Sequence, residues 1–223
     1  FCPKESLISA VSSSSYPFFR GKKSSGENND YANVIHPGHI SLETYVNNVD
    51  KPVYLSVGTD GPLGLSNFST NKNLIVSRDF SRECFGFERF PDLRLPFFSL
   101  DVEKAKQASL TILEKENQKN YNLLAEISDS EDVGMNCASA VYFCLAAAGI
   151  RNLSTTSQAS LLELLFDSAD TTLCMPETLA QMIQRYAKSE MENAETPILY
   201  DDFYKHVEEE KKMFQENLKK IRL

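Results

Sequence analysis

The feature that most constrains the fold is the segment from Cys137 to Ala148, which is small and apolar almost all round. Gly149 follows it, and a glycine at this place is a typical signal for the end of a helix. A helix that is apolar nearly all round cannot lie on a surface, because every face would expose apolar groups to water. The sequence therefore predicts a central helix that other elements bury.

Two segments before this helix have the alternation of a β-strand. His39–Thr44 and Pro52–Val57 alternate polar and apolar residues, and a period of two predicts strands with one face toward the core. Further strands are predicted at Leu74–Ser77 and around Cys84–Phe90. The Asn-rich connection between the first two suits a hairpin, so we expect an antiparallel sheet.

Several helices are predicted beside the central one. Asp101 is a candidate N-cap for a helix from Val102 to Glu116, and Leu161–Phe166 and Pro176–Ala187 are two more. An amphipathic helix from Asp201 onward either packs on the body or leads to a further domain. The chain is thus expected to be α+β, with its sheet packed on the central helix and additional helices at the C-terminal end.

The length of 223 residues suits one domain with a helical appendage. Residues 1–34 are predicted to be a loop-rich N-terminal segment with a short helix at Glu5–Val11. Residues 35–190 are predicted to form the main domain, and 191–223 the C-terminal amphipathic helix.

Composition excludes several classes of function. A net charge of −8 argues against nucleic-acid binding. The longest apolar stretch, Ala140–Ile150, is far shorter than the ~20 residues of a membrane-spanning helix, so no integral membrane protein is expected. The five cysteines contain no CxxC pair, which indicates neither a disulfide scaffold nor a zinc site. We expect no metal and no other cofactor, and the sequence does not indicate an oligomeric state.

Cys137 is the candidate nucleophile because it opens the predicted helix. Free N–H groups and the dipole at a helix N-terminus stabilise a thiolate, and a neighbouring imidazolium would stabilise it further and protonate a leaving group. Among His36, His39 and His206, His39 begins a strand after Gly38, a residue that permits close approach of another element. The plain alternative is that Cys137 is a small buried residue of an Ala-rich helix.

The two segments together resemble a known family. His39-Ile-Ser-Leu-Glu43, followed nearly a hundred residues later by Asn136-Cys137-Ala-Ser-Ala-Val141, is similar to the circularly permuted branch of the NlpC-like papain fold. In that branch the histidine strand precedes the cysteine helix. Bacterial amidase and peptidase domains, some of them effector-like, and lecithin:retinol acyltransferase-like enzymes belong to it. The resemblance covers roughly residues 35–149, and an acidic stretch at Ser128–Asp132 departs from the pattern just before Asn136.

The resemblance implies a third, polar residue that orients the histidine from the next strand. We choose Ser56, which shares the predicted face of His39. Tyr54 and Asp60 are rivals, and Glu43 is a weaker one.

Five other polar or thiol positions have simpler interpretations. Asn136 is either an N-cap or a side-chain donor to an oxyanion beside Cys137, and we favour the cap. Cys144 is predicted to be core. Cys2, Cys84 and Cys174 show no histidine or acid context.

The implied function is a cysteine hydrolase that cleaves a peptide, amide or isopeptide bond in a protein or peptide substrate. Cys137 would attack the carbonyl, His39 would act as base and then acid, and Ser56 would hold the imidazole. The alternatives are a thiol acyltransferase or phospholipid deacylase of the same fold, and a non-catalytic protein-binding module. The likeness to effector-like domains implies a secreted bacterial effector or toxin domain that acts in the cytosol of a host or target cell; otherwise the protein is expected to be cytoplasmic.

Overall fold

A computed structural model of the chain describes residues 5–13, 38–47, 49, 51–59, 72–87, 89–114, 120–121, 135–150, 176–193 and 197–221. The strands are β1 Leu7–Ser13, β2 His39–Tyr45, β3 Val53–Thr59, β4 Lys72–Ser77, β5 Leu93–Phe97 and β6 Asn120–Tyr121. The helices within these ranges are α1 Phe80–Phe87, α2 Val102–Glu114, α3 Cys137–Ala147, α4 Pro176–Glu192 and α5 Pro197–Ile221.

The strands form one sheet in the order β5-β1-β2-β3-β4-β6. Every neighbouring pair is antiparallel. The α+β class and the antiparallel sheet are therefore confirmed, and so are the predicted strands at the positions of β2, β3 and β4.

The N-terminal prediction is wrong where the structure describes this segment. Residues 7–13 are neither loop nor helix: β1 lies between β2 and β5, with Leu7 opposite Tyr45 and Ile8 opposite Phe97. Residues 7–11 of β1 are all buried, because the sheet is covered on both faces here. A strand covered on both faces loses the polar–apolar alternation that identifies a strand, and a short apolar run is easily taken for a helix.

The strand predicted around Cys84–Phe90 is also wrong, since most of this segment is helix α1. The side chain of Asp79 accepts a hydrogen bond from the Arg82 backbone N–H at 2.9 Å, which caps the first turn. The unpredicted strand β5 follows, and it contains Pro96. A proline is tolerated there because β5 ends the strand order of the sheet and needs hydrogen bonds on one side only.

The predicted helices at α2, α3 and α4 are confirmed, although α4 continues five residues beyond Ala187 to Glu192. Helix α3 is buried as predicted, with Ala138, Ala140 and Leu145 fully enclosed. The helix predicted at Leu161–Phe166 lies outside the described residues. No helix among the described ranges is long and apolar enough to cross a bilayer.

Helices cover both faces of the sheet. Ile40, Leu42 and Leu55 share a hydrophobic core with residues of α2, α3 and α4. The opposite face of β2, with Ser41 and Glu43, lies under α1 and α5, so it is polar yet buried along its whole length. Helix α5 packs on the body: its Phe203 is fully buried against Leu7 and Tyr45.

Candidate functional site

His39 is the first residue of β2 and follows a glycine with a positive φ. Gly38 has a φ of 75°, which a glycine adopts without the steric cost of a side chain. The His39 residue is buried, with 8% of its surface exposed. This backbone geometry fixes the position from which the imidazole reaches its neighbours.

Ser56 on β3 holds one nitrogen of the imidazole. His39 Nε2 lies 2.8 Å from Ser56 Oγ, and Ser56 Oγ donates a hydrogen bond to Glu83 Oε1 at 3.0 Å. A hydroxyl has one proton to donate, so Ser56 accepts from the Nε2–H of His39. Ser56, the residue predicted to orient the histidine, therefore fixes the proton on Nε2.

Glu83 also belongs to the site, although it was not predicted from the sequence. Its Oε1 lies 3.3 Å from His39 Nε2, so a buried carboxylate touches both the imidazole and Ser56. Glu83 lies on α1, which was predicted to be a strand. The spacing of Phe80, Cys84 and Phe87 at four and three residues is the helical signal that could have revealed its place.

Cys137 opens α3, as predicted. Asn136 is the N-cap: its Oδ1 accepts from the Ser139 N–H at 2.7 Å, and the Asn136 N–H donates to Ser139 Oγ at 2.9 Å. The cap interpretation of Asn136 is therefore confirmed. The first N–H groups of a helix have no carbonyl partner within it, so the backbone beside Cys137 can stabilise negative charge.

The side chains of His39 and Cys137 meet in a hydrogen bond. Burial lowers the pKa of His39, but the negative charge and hydrogen bond of Cys137, followed by those of Glu83, outweigh burial and raise this pKa to about 10. The imidazole is therefore positively charged at neutral pH and faces the Cys137 side chain. An imidazolium beside a cysteine favours the thiolate, which is the activated form of a cysteine nucleophile.

The rivals of Ser56 have other partners or lie outside the described residues. The Tyr54 hydroxyl donates to Ser41 Oγ at 3.0 Å. Glu43 binds Arg94. Asp60 lies in a segment that the structure does not describe.

The surroundings of two other cysteines, Cys84 and Cys144, disfavour their thiolate forms. Cys84 lines a small cavity beside His39 and neighbours Glu83, so the prediction that it has no acid or histidine context is wrong. Burial, and next the charge of Glu83, raise the pKa of Cys84 to about 12. Burial also raises the pKa of Cys144 to about 12, and this residue is core as predicted. Both stay neutral thiols at physiological pH; Cys2 and Cys174 lie outside the described residues.

A second buried polar cluster lies further along β2, under α5. Arg94 of β5 binds Glu43 at 2.5 Å and the Tyr45 hydroxyl at 3.0 Å through Nη2, and binds Glu210 of α5 through Nη1. His206 Nε2 lies 3.3 Å from the same Glu210 carboxylate. Burial would raise the pKa of Glu210, but His206 and Arg94 lower it to about 2. This cluster joins α5 to the sheet by charge.

Within the described ranges, no group of three or more His, Cys, Asp or Glu side chains is arranged to hold a metal ion. Comparison of the chain with protein-family models, with curated proteins and with solved structures found no match.

Proposed function

We propose that this protein is a cysteine hydrolase of the permuted papain-like type that cleaves amide bonds in a peptide or isopeptide substrate. The supporting observation is the interaction of His39 with Cys137, together with Ser56 and Glu83 at Nε2 of the same ring. Such a pair supplies a nucleophile, a proton donor and a group that orients the donor, which is the set that acyl transfer requires.

The first half of the reaction is the attack of Cys137. The thiolate adds to the carbonyl carbon, and the resulting oxyanion is stabilised by backbone N–H groups at the start of α3. Because Ser56 occupies Nε2, the proton on Nδ1 is the one that His39 gives to the leaving amine. The C–N bond then breaks and leaves a thioester on Cys137.

The second half is the hydrolysis of the thioester. His39, now neutral, accepts a proton from a water molecule as the hydroxide adds to the acyl carbon. Collapse of this intermediate releases the carboxylic acid and restores the thiolate and the imidazolium. Glu83 acts in both halves as a positioning group, because its carboxylate fixes the ring through Ser56 and stabilises the positive charge of His39.

The proposal is tested by measuring the reaction of each cysteine with iodoacetamide at neutral pH and mapping the adducts by mass spectrometry. We expect Cys137 to react first, since Cys84 and Cys144 remain protonated thiols. His39→Ala should slow the reaction at Cys137 and leave the other sites unchanged. Labelling that spares Cys137, or that does not depend on His39, would contradict the proposal.

A second candidate is a non-catalytic protein-binding module, and one observation favours it. Cys137 is only 1% exposed, whereas a nucleophile must reach a carbonyl carbon. In this alternative the pair is packed into the core. A Cys137 thiol that titrates like an ordinary cysteine, near about 8.5, would support the binding module.

The biological setting is proposed from the resemblance alone. A secreted effector domain that acts on a protein substrate in the cytosol of a host or target cell suits it.

A further inference from the structure

Helix α1 brings Glu83 into the site, but it cannot hold its own position. It has 8 residues, and a helix this short is not stable in water without tertiary contacts. On its inner side the Phe80 ring meets Tyr54 of β3 edge-on, with ring centroids 5.7 Å apart. On its outer side the Phe85 ring meets Phe214 of α5 at 5.0 Å. Helix α1 is therefore held between the sheet and α5.

Phe214 also contacts the residues that follow α1. Its ring lies 5.9 Å from that of Phe90, and Phe90 in turn packs edge-on against Phe80 at 5.8 Å. Phe214 is buried, at 8% exposure, although it belongs to the mostly exposed end of α5. One side chain of the C-terminal helix thus supports α1 directly at Phe85 and indirectly through Phe90.

We propose that Phe214 is a positioning residue of the site, which acts through α1. By packing on Phe85, it keeps the Glu83 carboxylate against Ser56 and His39. The inference rests on the proposed function for its catalytic consequence, but not for the geometry that it describes. It makes the docking of α5 a requirement for a fully activated His39–Cys137 pair.

The physical reason is the short reach of the Glu83 contacts. The carboxylate holds Ser56 at 3.0 Å and His39 at 3.3 Å, and hydrogen bonds weaken quickly beyond these lengths. A smaller side chain at position 214 leaves a gap that α1 can relax into. A displacement of about 1 Å at a catalytic group can cost up to about a hundredfold in rate.

The test uses the full chain with Phe214→Leu, a change that keeps an apolar side chain. The titration midpoint of His39 is followed by NMR, with its resonance assigned by its loss in His39→Gln. The rate of Cys137 alkylation by iodoacetamide is measured on the same samples. We expect a lower midpoint and an alkylation rate reduced about tenfold, and Phe85→Leu should produce the same two changes from the other side of the contact.

Two control variants separate positioning from general loss of stability. Met213→Leu changes the neighbour of Phe214, which is 56% exposed. Ile183→Val trims a fully buried core residue of α4, on the other face of the sheet. Both should keep the midpoint and rate of the unchanged protein. Folded Phe214→Leu protein with an unchanged midpoint, or an equal effect of Ile183→Val, would overturn the inference.

The outcome also distinguishes this inference from the proposed function. If Cys137 of the unchanged protein reacts like an ordinary thiol while Phe214→Leu still lowers the His39 midpoint, positioning holds and the hydrolase fails. If Cys137 reacts rapidly and neither Phe214→Leu nor Phe85→Leu alters it or the midpoint, the hydrolase stands and positioning fails.

Discussion

The same face of β2 carries two buried polar clusters that differ in how their charges are balanced. At the start of the strand, the imidazolium of His39 interacts with the Cys137 side chain and with Glu83. Further along it, the guanidinium of Arg94 is held by two carboxylates. A guanidinium keeps its proton at any ordinary pH, whereas an imidazolium can give one away. The first cluster is therefore suited to proton transfer, and the second to holding α5 in place.

The largest effect is expected from a substitution that breaks the first cluster. In the proposed mechanism His39→Ala removes the proton donor and the positive charge beside Cys137, so the rate of the proposed hydrolysis should fall about 10²- to 10⁴-fold. Arg94→Met should cost at most about tenfold, because Arg94 has no described contact with Cys137 or His39 and acts on the site through α5 and the Phe80 ring of α1. The measurement is the rate of cleavage of a fluorogenic peptide amide, or of Cys137 alkylation. A comparable rate loss in both variants would contradict the assignment of proton transfer to the first cluster alone.

Disrupting the second cluster should lower the free energy of unfolding of the protein. Arg94→Met leaves the Glu43 carboxylate, which is 1% exposed, without its cation. Removing one partner of a buried ion pair costs about 3 to 5 kcal/mol. Urea unfolding at pH 7 measures the change, with surface variant Lys104→Met as the control, since the Lys104 side chain is 69% exposed. A loss no larger than that of the control would show that the cluster does not hold the fold together.

The titration of His39 sharpens the comparison further. Its midpoint is expected near 10, and it should fall in Cys137→Ala because the neighbouring negative charge is removed. Since the pKa of His39 is raised on folding, its contribution to stability is complete below pH 6.5 and is lost as the pH rises toward about 10. NMR titration and urea unfolding between these pH values check both statements. A midpoint that Cys137→Ala leaves in place would mean that the thiolate does not act on the ring.

The site residues that could be predicted from the sequence are those marked by a local pattern. The alternation of β2 and β3 placed His39 and Ser56 on one face, and the Asn136 cap placed Cys137 at a helix start, because these signals lie within a few neighbouring residues. The spacing of the apolar residues of α1 could have shown that Glu83 lies on a helix, but not what it contacts. Its partners Ser56 and His39 lie 27 and more residues earlier in the chain, so no local pattern links them to it.

Burial on both faces of the sheet explains why β1 and the Arg94 cluster were not predicted. β1 has no alternation because α-helices cover the sheet from both sides, and the polar residues of β2 are buried although their pattern suggests an exposed face. Sequence period reports which side chains share a face, but not what covers that face. The Arg94 cluster was not predicted for this reason. Its members lie on two strands and on α5, and Glu210 follows Arg94 by 116 residues.

The smallest expected effect concerns the link between α5 and this cluster. Glu210 has a pKa lowered to about 2, so its contribution to stability is complete above pH 4.5 and is lost as the pH falls toward 2. Glu210→Gln should cost about 1.5 to 3 kcal/mol at pH 7, the range for hydrogen bonds to charged groups. The difference from the unchanged protein should shrink as the pH falls below 4.5, because the Glu210 carboxyl then binds a proton in the unfolded state while it stays charged in the native state. Urea unfolding at pH 7 and pH 3 measures this, with the exposed Glu209→Gln as the control. A difference that is the same at both pH values would mean that Glu210 stabilises α5 by packing and not by charge.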